Sequence, residues 1–178
     1  GDVYKRQVAC YAVISYIVFP VQYFLTGIGE GVQPLISFYH GAKKEMEVRA
    51  VKKIAYTAEI IFGITAAAVT ICMIPYIGGW FGLSAESKQC FSSGMLISSF
   101  AFLLTGTAKL NVSCLNAVMQ TKKAVFMTYI ESLAVSPICL FLLPAVWDIR
   151  GIWLALPVTA GIMTGIYGLI RKDRKNEE

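Results

Sequence analysis

Apolar stretches of about 20 residues recur along this chain, and a stretch of that length crosses the hydrocarbon core of a bilayer as one helix. No water is available there to satisfy backbone N–H and C=O groups, so a spanning segment must be a helix unless it closes into a barrel. The stretches run from about Val8 to Tyr39, Ile54 to Ile77, Phe91 to Val118, Ala124 to Pro144 and Gly151 to Ile170. The first is too long for a straight perpendicular helix and too short for two crossings. It is interrupted by Pro20, Gly27, Gly29, Gly31 and Pro34, so one kinked helix is expected. The chain is 56% hydrophobic and 15% charged. A soluble domain carries about 25% charged residues and needs them for its exterior. The fold class is an all-α integral membrane protein of about five transmembrane helices.

Positive charge falls in alternate connections. Lys43, Lys44, Arg49, Lys52 and Lys53 follow the first stretch, Lys122 and Lys123 the third, and Arg171, Lys172, Arg174 and Lys175 the last. The other two connections carry only Lys88 and Arg150. The positive-inside rule puts the richer loops and the C-terminus in the cytoplasm of a multi-pass cell-membrane protein. The net charge of +5 is therefore read as topology, and no nucleic acid is expected as a partner. Residues 172–178 form a cytoplasmic tail on this reading. Residues 1–7 (Gly-Asp-Val-Tyr-Lys-Arg-Gln) do not match the remainder of the chain, and are expected to be an artefact preceding the natural sequence.

Enzyme chemistry finds no foothold. His40 is the only histidine, and no nucleophile elbow, zinc motif or P-loop is present. Gly-Ile-Gly-Glu-Gly at 27–31 lies inside an apolar span with no strand before it, which excludes a dinucleotide loop. Cys10, Cys72, Cys90, Cys114 and Cys139 are odd in number and lack metal-ligand spacing, so they are expected to be small buried residues. No catalytic residue, metal or cofactor is expected.

The informative residues are the ionisable groups inside the spans: Glu30, Glu59, Lys109 and Glu131. Each is costly in hydrocarbon and is retained facing protein or a water-filled cavity. All four fall roughly 8–14 Å inside the cytoplasmic boundary at 1.5 Å per residue. Three acids and one lysine imply a negatively biased cavity suited to cations. The alternative for Lys109 and Glu131 is a structural ion pair between adjacent helices. The third span is rich in hydroxyl and amide groups, of which Asn111 and Asn116 are the cavity candidates, the rest being expected to bond between helices. Gly27/Gly31 and Gly161/Gly165 have the i, i+4 spacing of close helix packing.

Gly27–Lys44 reads GIGEGVQPLISFYHGAKK, and its Gly31, Val32, Gln33, Pro34, Gly41 and Ala42 resemble the signature of the multidrug and toxic compound extrusion (MATE) transporters. Asn116–Ala124, Pro144 and Gly151-Ile-Trp-Leu-Ala-Leu-Pro157 are similar to the end of the family's C-terminal lobe. The resemblance covers about residues 8–170. It implies a two-lobed, twelve-helix transporter working by alternating access, with residues 8–171 forming the C-terminal lobe without its first helix. It implies export of small cationic or amphipathic compounds in exchange for H+ or Na+ as coupling ion. The partners it implies are membrane lipids and the missing N-terminal lobe of the same chain. Gly27, Gly31 and Pro34 would let the first helix bend, while Glu30, Glu59, Asn111, Lys109 and Glu131 would shape the substrate and ion cavity. The sequence departs from the family at Glu131, where many relatives are basic, and at Val158 and Thr159, where many carry an acid. Two other readings stay open: a lipid-linked saccharide flippase of the same superfamily, which would need more intramembrane cations than Lys109, and a non-transporting membrane subunit.

Overall fold

The computed structural model describes residues 1–177, with side chains for 1–171. The tail expected at 172–178 thus lies outside the described side chains. The chain folds as α1 (Asp2–Gly41), α2 (Glu45–Trp80), α3 (Ala85–Ala117), α4 (Thr121–Ile130), a π-helical turn (Glu131–Val135) and α5 (Ser136–Glu177). Each helical run begins before the apolar stretch that marks it, and α1 and α2 also end after theirs. Local chemistry sets the real ends. Ser84 caps α3, its Oγ accepting from Ser87 N–H at 3.3 Å, which starts that helix well before Phe91.

Three connections share one design. α1, α2 and α3 each end in a residue of left-handed conformation: Lys43, Gly82 and Met119, with φ of 57°, 63° and 59°. In each, the next amide reaches back five residues to a helix carbonyl: Lys44 to Tyr39 at 2.9 Å, Leu83 to Gly78 at 3.0 Å, and Gln120 to Leu115 at 3.0 Å. This bond closes the helix and reverses the chain in a few residues. Only Gly82 advertises the motif in the sequence.

The fourth and fifth stretches form one helical run of 51 residues, Thr121–Arg171. Two devices shape it. Pro137 has no N–H to give the carbonyl four residues back, and its ring crowds that carbonyl, so the turn before it widens into the π-helix at Glu131–Val135. The run then breaks at Trp147 (φ −123°) and Asp148 (φ 49°, ψ −135°). A Cβ built on Gly151 would overlap the Leu143 carbonyl. Residues eight apart in a straight helix lie about 12 Å from each other. The chain therefore reverses here, and the run supplies two crossings, as the sequence led us to expect.

α3 is the hub, packing against α1, α2, α4 and α5. Its small residues let neighbours approach: Gly94 lies against Ile14 and Trp153, and Gly106 against Glu59 and Leu25. α1 closes on α3 at Gly29, where a Cβ would stand 3.3 Å from Leu110 Cα. Stacked rings add further ties, Tyr11 on Trp153 with centroids 5.5 Å apart and Phe24 on Phe62 at 4.1 Å. The glycine pairs chosen by spacing behave differently. Gly27, Gly31 and Gly165 have nothing within reach, and Gly161 only Leu104 Cδ1 at 3.9 Å. Spacing alone does not say which face of a helix meets a neighbour. α1 passes through Gly27, Gly31 and Pro34 without leaving helical geometry.

Outward faces are as apolar as the interior. Tyr23, Leu133, Phe141 and Leu142 are more than half exposed, and every crossing has at least one such residue, Phe100 on α3 and Leu169 on the last. Helices apolar on all sides belong in lipid. This places the chain in a membrane as a multi-pass protein. At one end, the start of α2, the α3–α4 turn and Arg171 meet around a cavity. At the other, Arg6 pairs with Glu86, and Gly78 abuts Lys88. The basic connections thus share one end of the bundle, as their alternation requires.

Candidate functional site

The ionisable groups expected within the spans separate into distinct settings. Glu59, on α2, is 1% exposed, and neither carboxylate oxygen has a hydrogen-bond partner. It faces Gly106 of α3, where the missing side chain provides the room for its carboxylate. Leu25 of α1 borders the same space. A larger residue at 106 would evict the acid. An unpaired carboxylate enclosed by apolar side chains is among the costliest groups a fold can hold.

Lys109 and Glu131 meet directly. Lys109 Nζ, from α3, donates to Glu131 Oε1 at 2.8 Å. Glu131 opens the π-helical turn, so the proline-widened segment presents the acid toward α3. The pair borders a cavity of ≈170 Å³ whose polar lining also includes Gln22, Thr105, Ser136 and Thr159. Side chains from α1, α3 and the α4–α5 run thus bring a few polar groups to a small chamber that Ala108, Leu140 and Leu156 otherwise line with apolar surface. Its local charge is balanced by the pair, whereas the sequence led us to expect one shared, negatively biased cavity.

Asn111 is buried on α3 and accepts a hydrogen bond from the Tyr56 hydroxyl of α2. Tyr56 in turn lines the separate cavity at the basic end. Glu30 is exposed on α1, near exposed Gly27, Gly31 and Pro34. Neither cavity is lined by Glu30 or Glu59.

Most hydroxyls of α3 do not bridge helices. Ser92, Ser99 and Thr107 return their bonds to carbonyls of their own helix, at 2.8, 2.8 and 3.2 Å. Such bonding back to the preceding turn satisfies a hydroxyl without a neighbour. Ser98 Oγ is buried without a partner. Besides the Tyr56–Asn111 bond, a hydroxyl that does bridge helices is Ser37 of α1, donating to the Ala117 carbonyl at 2.9 Å. Among the cysteines, Cys10, Cys114 and Cys139 are buried, Cys90 is partly buried and Cys72 is exposed.

Gln22 and Ser136 are polar chamber residues that sequence reasoning missed, and Gln22 is the more informative. It is an uncharged amide in the middle of an apolar span, and attention to charge alone passes over it. Its Nε2 is buried with no partner in the described structure.

The sequence model of the MatE family matches residues 1–142. No curated protein matches the chain. Among solved structures, an outward-facing multidrug resistance MATE family transporter of the MOP superfamily superposes with a TM-score of 0.84 at 13% identity, covering 96% of this chain and 39% of that one. A MATE protein in complex with MaL6 superposes with a TM-score of 0.81, also at 13% identity, covering 94% of this chain and 38% of that one. The chain therefore spans about two fifths of the length of the transporters whose fold it shares.

Proposed function

This chain belongs to the MatE family, and from that premise we propose that it serves in a secondary active transporter exporting cationic or amphipathic compounds in exchange for H+ or Na+. It acts as five crossings of the C-terminal lobe, with its basic end in the cytoplasm. The observation that carries this reading is Glu59. A structural acid would be tied to a cation or to backbone amides, whereas Glu59 is enclosed with both oxygens unpartnered. A carboxylate held at that cost inside a membrane protein is suited to receive a proton or a metal cation during turnover. The Lys109–Glu131 chamber supports the same reading, offering a few polar groups on a mainly apolar surface between helices, which suits an amphipathic compound. Lys109 is neutralised by Glu131, which disfavours a cationic pocket for a pyrophosphate-linked lipid.

The test is dye efflux from everted vesicles carrying the full-length protein, with an imposed proton or sodium gradient. Gradient-dependent movement of ethidium is expected, and the gradient that drives it names the ion. Glu59→Gln keeps shape and removes ionisation. It is expected to reduce gradient-driven efflux at least tenfold while the protein still inserts and folds. Unchanged efflux in Glu59→Gln would remove Glu59 from the mechanism, and absence of any driven cation movement would overturn the transport reading itself.

A further inference from the structure

The larger cavity, ≈470 Å³, lies at the basic end between the start of α2 and the end of α5. Both helices pack against α3, and the cleft between them is floored by Tyr56, Cys114 and Leu115. Its rim carries Arg49, Lys52, Lys53 and Arg171. Glu45 is the acid among the lining residues, and it is engaged with His40 Nδ1 at 2.9 Å. Among the described residues, Arg49, Lys53 and Arg171 make no ion pair. Cations brought to one rim from two helices repel one another, and an anion at their centre relieves that cost. Leu115, Val118 and Ile170 give the same cleft an apolar wall beside its charge and the Gln120 amide.

We infer that this cleft binds the phosphate group of an anionic membrane lipid. Arg49, Lys53 and Arg171 hold the phosphate oxygens, with the glycerol and first methylenes against Val118 and Ile170. The guanidinium groups offer forked donors matched to phosphate, and the lysine a point charge. A basic pocket between helices at the membrane surface gains from both the local contact and the negative potential of the cytoplasmic leaflet. A soluble phosphate would use the same cations but would gain nothing from the apolar wall. The site does not depend on the transport reading, since lipid retention is measured whether or not the protein moves a substrate.

Native mass spectrometry of the full chain, titrated in detergent with phosphatidylglycerol or phosphatidylcholine, reads the site directly. Wild type is expected to retain one phosphatidylglycerol in preference to phosphatidylcholine. Arg49→Gln/Lys53→Gln/Arg171→Gln is expected to need at least about tenfold more phosphatidylglycerol for equal occupancy. The pair Lys122→Gln/Lys123→Gln, at the same end of the bundle but not lining the cleft, is expected to behave as wild type, as is Arg49→Lys/Arg171→Lys within a few-fold. Circular dichroism confirms that each variant is folded before it is compared. Equal retention by the triple variant, or equal loss in Lys122→Gln/Lys123→Gln, would overturn the site in favour of diffuse surface charge. Full displacement of the lipid by millimolar inorganic phosphate would overturn the lipid assignment.

Discussion

At Gly94 a Cβ would stand 2.7 Å from both Ile14 Cδ1 and Trp153 Cε2, closer than carbon atoms pack. Trp153 is 3% exposed and cannot swing aside. Gly27, in the glycine pair chosen by spacing, has nothing within 4 Å of the same position. Gly94→Ala is therefore expected to destabilise by about 1–3 kcal/mol through overpacking. Gly27→Ala is expected to leave the thermal midpoint unchanged or slightly raised, alanine being the better helix former. Thermal unfolding in detergent checks both, and equal midpoints would show that the α1–α3–α5 contact is looser than described. The same distinction explains what the residue scale hid from the sequence. A glycine's role depends on what stands opposite, and 27/31 spacing carries no information about that.

Elements were the most legible scale. Hydropathy located each crossing, because lipid requires long apolar helices and nothing else in the chain resembles them. It did not locate their ends, which Ser84 and the left-handed residues Lys43 and Met119 determine. Nor did it reveal the π-helical turn, whose cause, Pro137, looks like any other proline in a membrane helix. The Lys109–Glu131 pair was visible only as one of two possibilities, since which helices lie side by side is decided by the bundle and not by the chain order. That pair now joins α3 to the π-helical turn at 2.8 Å. Lys109→Ala is expected to destabilise by about 1–3 kcal/mol, because it leaves a largely buried carboxylate unpaired while the exposed part of the lysine discounts the loss. Lys109→Ala/Glu131→Ala is expected to recover much of that loss. A double-mutant cycle on unfolding should give a coupling above about 1 kcal/mol. A coupling near zero would mean that the two groups are solvated separately.

For the whole molecule, alternation of charge and the gathering of α2, the α3–α4 turn and α5 at one end agree on the arrangement of the crossings. In a cysteine-free background, Lys43→Cys and Lys122→Cys are expected to react with a membrane-impermeant maleimide from one side and Lys88→Cys from the other. In intact cells only Lys88→Cys should label, and labelling of Lys43→Cys there would invert the proposed orientation. The reversal at Trp147–Asp148 has a mechanical consequence. With Gly151 seated against the Leu143 carbonyl, the two arms of α5 share no slack. A displacement of the π-helical turn at Glu131 along the membrane normal would therefore be expected to carry with it the arm bearing Trp153 and Thr159. The run from Thr121 to Arg171 is a folded clip, closed at Trp147–Asp148, and the widened turn on one of its arms carries the ion pair.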